Sequence, residues 1–169
     1  LIDERQGKEQ DYTRKTGVEF TKIYAPENTN PELLDRNQLW NTVEKVERRK
    51  DANLAREFEI AFPHELNAEQ RQSMLNEICQ ELVKRHGVVV DAAIHAPHTQ
   101  SGSDERNYHA HIMFTGRQID LETGDFAKKK NRDFNKEQSS ETVSHWREHF
   151  AELTNRHLEK HGFADRVDH

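Results

Sequence analysis

The sequence predicts a single α/β (α+β) domain, and three observations predict it. Short stretches alternate apolar and polar residues with the period of two of a half-buried strand, as in Arg56–Phe62 and Tyr108–Thr115. Longer stretches repeat apolar residues at the spacing of an amphipathic helix, as in Leu39–Val46, Met74–Leu82 and Val143–Leu153. The chain has 169 residues, which suits one hydrophobic core and not two. Periodicity has to carry this argument because composition does not. Hydrophobic residues are 33% of the chain and charged residues another 33%, and the mean hydropathy is −1.09, close to the range of disordered chains.

The first thirty residues read as irregular, with one edge strand at Val18–Tyr24. Asn30-Pro31 is a helix start, since proline suits the first helical position, and Leu39, Trp40, Val43 and Val46 continue a helix from Pro31 to Arg49. In Arg56–Phe62, Phe58, Ile60 and Phe62 take one face while Glu57, Glu59 and Ala61 take the other, and Pro63 ends the strand. Asn67 and Gln70 form a capping pair ahead of Met74, Leu75, Ile78 and Leu82, with Gly87 where a helix-terminating glycine belongs. Val88–His95 and Tyr108–Thr115 are strands joined by a polar loop from Ala96 to Asn107. Ile119–Phe126 reads as a hairpin turning at Glu122-Thr123-Gly124, followed by the basic run Lys128-Lys129-Lys130-Asn131-Arg132. Val143, Trp146, Phe150, Leu153 and His157 share one face of a last helix, closed by Gly162.

Charge and targeting signals narrow the function classes. There are 25 Lys+Arg against 31 Asp+Glu, a formal net charge of −6, which taken as an average argues against a nucleic-acid binder. Distribution matters more than the sum, because the acidic residues gather on predicted helices while Lys128–Arg132 is locally basic. No apolar run approaches the roughly 18 residues of a membrane span, and no signal peptide opens the chain, so a soluble, cytoplasmic protein is expected. The single cysteine, Cys79, cannot form an internal disulfide and reads as a small core residue, in keeping with a reducing compartment. No Gly-rich phosphate loop or serine elbow is present. A start at Leu1 rather than Met leads us to expect a fragment or a processed chain.

The chain carries eleven histidines, so their placement is informative. His109 and His111 are two apart on a strand and share a face, with Ala110, Ile112 and Phe114 on the other. His95 ends the preceding strand, opposite the core-facing set Val90, Ala92 and Ile94 and together with Asp91 and Ala93. If the two strands are neighbours, three imidazoles converge on one open face, which Glu57 and Glu59 can share. Three neutral imidazoles leave coordination positions open, the layout of a catalytic rather than a structural metal, and carboxylates behind them would orient the rings. A His-x-His pair alone is commonly no more than two surface residues; His95 and the two glutamates strengthen it. His98 in the loop is an alternative third ligand. His86, His145, His149, His157 and His161 lie on or at the ends of helices and read as solvated or cap-region histidines. Lys128, Lys129, Lys130 and Arg132 form a solvated turn or, following closely on the histidine strand, a DNA-binding, phosphate-backbone site.

These residues also resemble a known pattern. Ala93-Ile94-His95-Ala96-Pro97 followed by Asp104-Glu105-Arg106-Asn107-Tyr108-His109-Ala110-His111-Ile112-Met113-Phe114 resembles the histidine motif of the MobA/MobL family of plasmid mobilisation relaxases, within the HUH endonucleases. The resemblance extends through Arg56–Leu66, Asp11–Lys15 and Arg166–His169, and so over nearly the whole chain. It implies a two-layer sandwich with a central antiparallel sheet, helices on one face and a metal site formed by His95, His109 and His111 on the other. It further implies a divalent cofactor, Mn²⁺ or Mg²⁺, and a tyrosine nucleophile that nicks one strand at an origin of transfer and holds it as a phosphotyrosine. The implied partners are single-stranded DNA at that origin, accessory relaxosome proteins and a type IV secretion coupling protein, with no membrane. Glu59 is expected to orient a ligand histidine or assist proton removal, with Glu57 in support. The family's nucleophilic tyrosine lies ahead of the segment resembling Leu1–Lys15, where this chain has no counterpart. Tyr12 is the nearest candidate, and Tyr24 and Tyr108 rank behind it. Residues 1–169 thus read as a relaxase domain lacking its extreme N-terminus and cut from a longer protein. Two other readings stay open: a catalytically incomplete DNA-binding module with a retained metal site, and a three-histidine metallohydrolase, which would need a closed apolar pocket beside the metal.

Overall fold

A computed structural model describes residues 2–3, 8–9, 17–47, 55–97, 107–129 and 139–163. In chain order the elements are β1 (Ile2–Asp3), β2 (Lys8–Glu9), β3 (Val18–Tyr24), a 3₁₀ turn (Pro31–Leu34), α1 (Arg36–Val46), β4 (Ala55–Ala61), α2 (Ala68–His86), β5 (Val90–His95), β6 (His109–Thr115) and α3 (Ser139–Lys160). β1 and β2 pair with each other, and the remaining strands form one antiparallel sheet in the order β3-β5-β6-β4. The two strands that carry the histidines are therefore central and adjacent. β3 is an edge strand, as its mixed composition predicts.

Alternation decides what each face does. Val90, Ala92, Ile94, Ala110, Ile112 and Phe114 point to one side and pack beneath α2 and α3, against Ile78, Leu82, Trp146 and Leu153, all essentially buried. Phe58 of β4 joins this layer, stacked on Phe114 at 5.4 Å and edge-on to Phe150 at 5.3 Å, the offset geometries that aromatic quadrupoles favour. α2 begins with the expected capping box: Gln70 N–H donates to Asn67 Oδ1 at 2.9 Å, and Asn67 N–H donates to Gln70 Oε1 at 2.9 Å. Gly87 ends it in the left-handed region at φ 68°. Cys79 is fully buried in this layer, and burial pushes its thiol well above the ordinary range.

Two expectations change. The helix predicted over Pro31–Arg49 is a 3₁₀ turn followed by a shorter α1, because Asp35 adopts an extended backbone (φ −92°, ψ 125°) and its carboxylate caps Asn37 N–H and Gln38 N–H. A short acidic side chain gains more by capping free amides than by lying inside a helix. Second, the arrangement with helices on one face holds for α2 and α3 but not for α1. Leu39, Trp40 and Val43 of α1 pack with Val89, Ile119, Ile23 and Met113, which alternate onto the face that carries the histidines. α1 thus covers the far half of that face, away from the histidines.

The turn after β6 forms as predicted, through an Ile119–Phe126 bridge with Gly124 at φ 77°. A Cβ at Gly124 would stand 2.5 Å from the Asn28 carbonyl oxygen, against backbone that cannot retreat cheaply. Gly124→Ala is therefore expected to cost about 1–3 kcal/mol of stability, from strain at a positive φ plus this clash. Urea denaturation reads it directly, and a loss below about 0.5 kcal/mol would contradict the close approach.

Candidate functional site

The register brings the predicted residues together. His95 pairs with His109 across β5 and β6, Ala93 pairs with His111, and Glu59 of β4 pairs with His111 on its other side. Directly opposed residues share a face, so His95, His109, His111, Glu57 and Glu59 occupy one patch of the sheet. The His95 and His111 rings stand edge to face, 4.8 Å between centroids at 86°. Glu57 Oε1 lies 2.7 Å from His111 Nδ1. A carboxylate at that distance accepts, so a proton sits on Nδ1, and in the neutral ring Nε2 is the lone-pair donor. Glu59 Oε1 lies 3.8 Å from His109 Nδ1 and 4.0 Å from His111 Nε2, close enough to influence both without a direct hydrogen bond. The His109 and His111 side chains are 23% and 27% exposed, and His95 Nε2 is buried, so the three rings are half-buried on this face.

Three imidazoles and two carboxylates are a donor set suited to a divalent transition metal, and the Glu57–His111 pair is the arrangement that orients a ligand imidazole. Among the described residues, however, no group of three or more His, Cys, Asp or Glu side chains is drawn together in an ion-holding geometry. The chemistry of the donors fits a metal; their side chains would have to turn toward one another to hold it.

Other predicted residues fall elsewhere. Lys128 and Lys129 do not join the histidines. β6 is seven residues long and carries the chain roughly 20 Å away from His109 before the turn that precedes them. There Arg117 holds the start of the run, its guanidinium donating to the Ala127 and Lys128 carbonyls and, at 2.6 Å, to the buried Glu47 carboxylate. Lys129 borders an open concavity of about 1580 Å³ at this far end, with Lys22, Lys84, Arg85, Leu34 and Leu121 also on its walls. Lys130, Arg132, His98 and Tyr12 lie outside the described residues. Neither described tyrosine faces the histidines. Tyr24 is buried on the opposite side, its hydroxyl donating to Asn76 Oδ1, and burial raises its pKa above the ordinary phenol range. Tyr108 packs against the helical layer with the Arg71 guanidinium 3.5 Å from its ring centroid.

The helix histidines are not simply solvated. His86 and His157 are each 3% exposed. Trp146 Nε1 donates to His86 Nε2 at 2.9 Å, while His157 Nε2 meets Glu77 at 2.7 Å and His149 meets Glu81. These contacts stitch α2 to α3, away from the open face. Sequence reasoning also missed the buried Asp91. It accepts from Arg36 Nε and Nη2 at 2.8–3.0 Å and from Trp40 Nε1 at 2.9 Å, fixing α1 to the sheet beside the site. An acidic residue inside the apolar run Val88-Val89-Val90-Asp91-Ala92-Ala93-Ile94 was the available signal.

The sheet order, the two-helix layer and the histidine–glutamate face define an α+β domain of the relaxase type. The MobA/MobL family model matches residues 1–169, and the chain belongs to the MobA/MobL family. It is 33% identical over 192 residues to the mobilization protein MobL of Acidithiobacillus ferridurans, covering 100% of this chain and 50% of that protein. It is 35% identical over 130 residues to the probable mobilization protein MobA of Bifidobacterium longum, covering 77% of this chain and 22% of that one. A structure solved in work on the molecular basis of vancomycin resistance transfer in Staphylococcus aureus superposes with a TM-score of 0.77 at 32% identity, over 99% of this chain and 82% of that chain. The chain thus spans half the length, or less, of these two curated relatives.

Proposed function

We propose that this chain is the DNA-nicking domain of a plasmid mobilisation protein, cutting one strand at an origin of transfer and later rejoining it. The observation that carries this reading is that His95, His109 and His111 share one face of two adjacent central strands, with Glu57 hydrogen-bonded to His111. Relatives named as mobilization and conjugal transfer proteins support the biological setting. In this reading His95, His109 and His111 hold a Mn²⁺ or Mg²⁺ ion, whose chemistry is to polarise the scissile phosphate and stabilise its extra negative charge. Glu57 keeps His111 in the donor tautomer. Glu59, between His109 and His111, assists removal of the nucleophile's proton. A tyrosine hydroxyl attacks phosphorus, the bond from phosphorus to one sugar oxygen breaks, and the strand is left with a free hydroxyl and a phosphotyrosine link. That link conserves the energy for rejoining. A face lined by histidines and glutamates suits a charged phosphate substrate better than the apolar pocket a small-molecule metallohydrolase needs.

The rival reading, a DNA-binding module that does not nick, rests on the placement of Tyr24 and Tyr108 away from the histidine face. Supercoiled plasmid carrying the cognate origin separates the two, with Mn²⁺ and the full-length protein. Nicking and a covalent protein–DNA adduct are expected; persistent supercoiling with no adduct would overturn the enzyme. Tyr12→Phe then locates the nucleophile. Loss of the adduct assigns Tyr12, and its persistence excludes Tyr12.

Glu57→Gln should weaken Mn²⁺ affinity about 10-fold or more, the usual effect of losing a carboxylate that orients a ligand histidine. Isothermal titration measures it, and an unchanged constant would remove Glu57 from that role. DNA affinity should fall steeply with added salt despite the net charge of −6, because phosphate contacts are made locally.

A further inference from the structure

β3 and β5 do not pair in uniform register. Val18 opposes His95 and Phe20 opposes Ile94, so Glu19 is an extra residue, a bulge in the edge strand beside the first histidine. In a regular ladder Glu19 itself would oppose His95 and share its face, as Thr21 shares the face of Ala93. The bulge puts Val18 there instead, and the Glu19 carboxylate reaches α2. Arg71 takes it with a two-pronged contact, Nε to Oε2 at 3.0 Å and Nη2 to Oε1 at 2.6 Å. Arg71 is 7% exposed, its Nη1 donates to the Leu66 carbonyl at 2.6 Å, and its plane lies over the ring of Tyr108, the residue before His109. One guanidinium therefore fixes both the bulge next to His95 and the entry into the strand of His109 and His111.

We infer that Arg71 is a positioning residue for the three-histidine site, holding Glu19 in the bulge so that Val18 rather than a carboxylate stands beside His95. This rests on the metal reading given above for its consequence, though not for its geometry. The consequence is a ligand set kept to neutral imidazoles on this flank, which preserves the ion's full charge and its open positions for a phosphate. The task needs a planar fork with each of its three nitrogens engaged, and the compact ammonium of a lysine would not reproduce it.

Two measurements test the inference. In the metal-free protein, nuclear Overhauser contacts report which residue opposes His95. The intact chain should show Val18 against His95, while Arg71→Ala and Glu19→Ala should each restore the regular register, with residue 19 against His95. Mn²⁺ titration then reads the consequence. Arg71→Ala should bind roughly tenfold more tightly through the released carboxylate, and the Arg71→Ala/Glu19→Gln pair should return to the affinity of the intact protein. Arg71→Lys should resemble Arg71→Ala in register. Val18 still opposing His95 in the variants would overturn the inference, as would weaker Mn²⁺ binding in Arg71→Ala that Glu19→Gln does not correct. A restored register with no Mn²⁺ uptake by any form, intact protein included, would leave the positioning role standing and refute the metal reading.

Discussion

Replacing His109 and His111 together with alanine should abolish divalent-metal uptake and reduce origin nicking by about a thousandfold or more. Charge stabilisation by a bound ion supplies several kcal/mol at the transition state, and each 1.36 kcal/mol is a factor of ten. Both side chains are partly exposed, so the fold should survive, with stability changed by no more than about 1 kcal/mol. That separation makes the experiment informative. Metal content by atomic absorption and strand cleavage should fall together while the thermal transition stays in place. Unchanged metal content in a folded double variant would refute the site itself, whatever the activity shows.

The second large effect belongs to Asp91. Its carboxylate is fully buried, and Arg36 and Trp40 both donate to it. Asp91→Ala removes the acceptor that Arg36 and the buried Trp40 indole N–H share, a defect worth about 3–5 kcal/mol. In a domain of this size that is a large share of the total stability. Chemical denaturation should show it as a lower midpoint. A cost below about 1 kcal/mol would mean that α1 is held by its apolar contacts alone. Asp91→Asn, which keeps one acceptor oxygen, should fall between.

Much of this architecture was legible because alternation along a strand fixes a face. His95, His109, His111, Glu57 and Glu59 could be assigned to one side of the sheet from spacing alone, and the register agrees. The capping box at Asn67 and the glycine at 87 were equally local and equally readable. What failed was information that spacing does not hold. The apolar stripe of α1 says that Leu39, Trp40 and Val43 are covered, but not which face of the sheet covers them. Asp35 broke the predicted helix because a carboxylate choosing between capping and interior positions is decided within one residue. Lys128 looked near the histidines because it follows them in sequence, yet an extended strand carries the chain away by about 3.3 Å per residue. For His157, the helical period had already placed it on the apolar face, and burial against Glu77 follows from that pattern rather than from its polarity. The nucleophile was not legible, and the described tyrosines point away from the site.

The order in which the site assembles follows from where its parts lie along the chain. His95, His109 and His111 belong to neighbouring strands joined by a single connection, so their pairing closes a short loop. Glu57 reaches His111 across a sequence separation of 54 residues. Contacts between close neighbours form ahead of distant ones, since loop closure costs entropy before any contact repays it. On this ordering the imidazoles meet before Glu57 reaches His111. A nascent chain has its histidines gathered before it has the carboxylate that orients one of them.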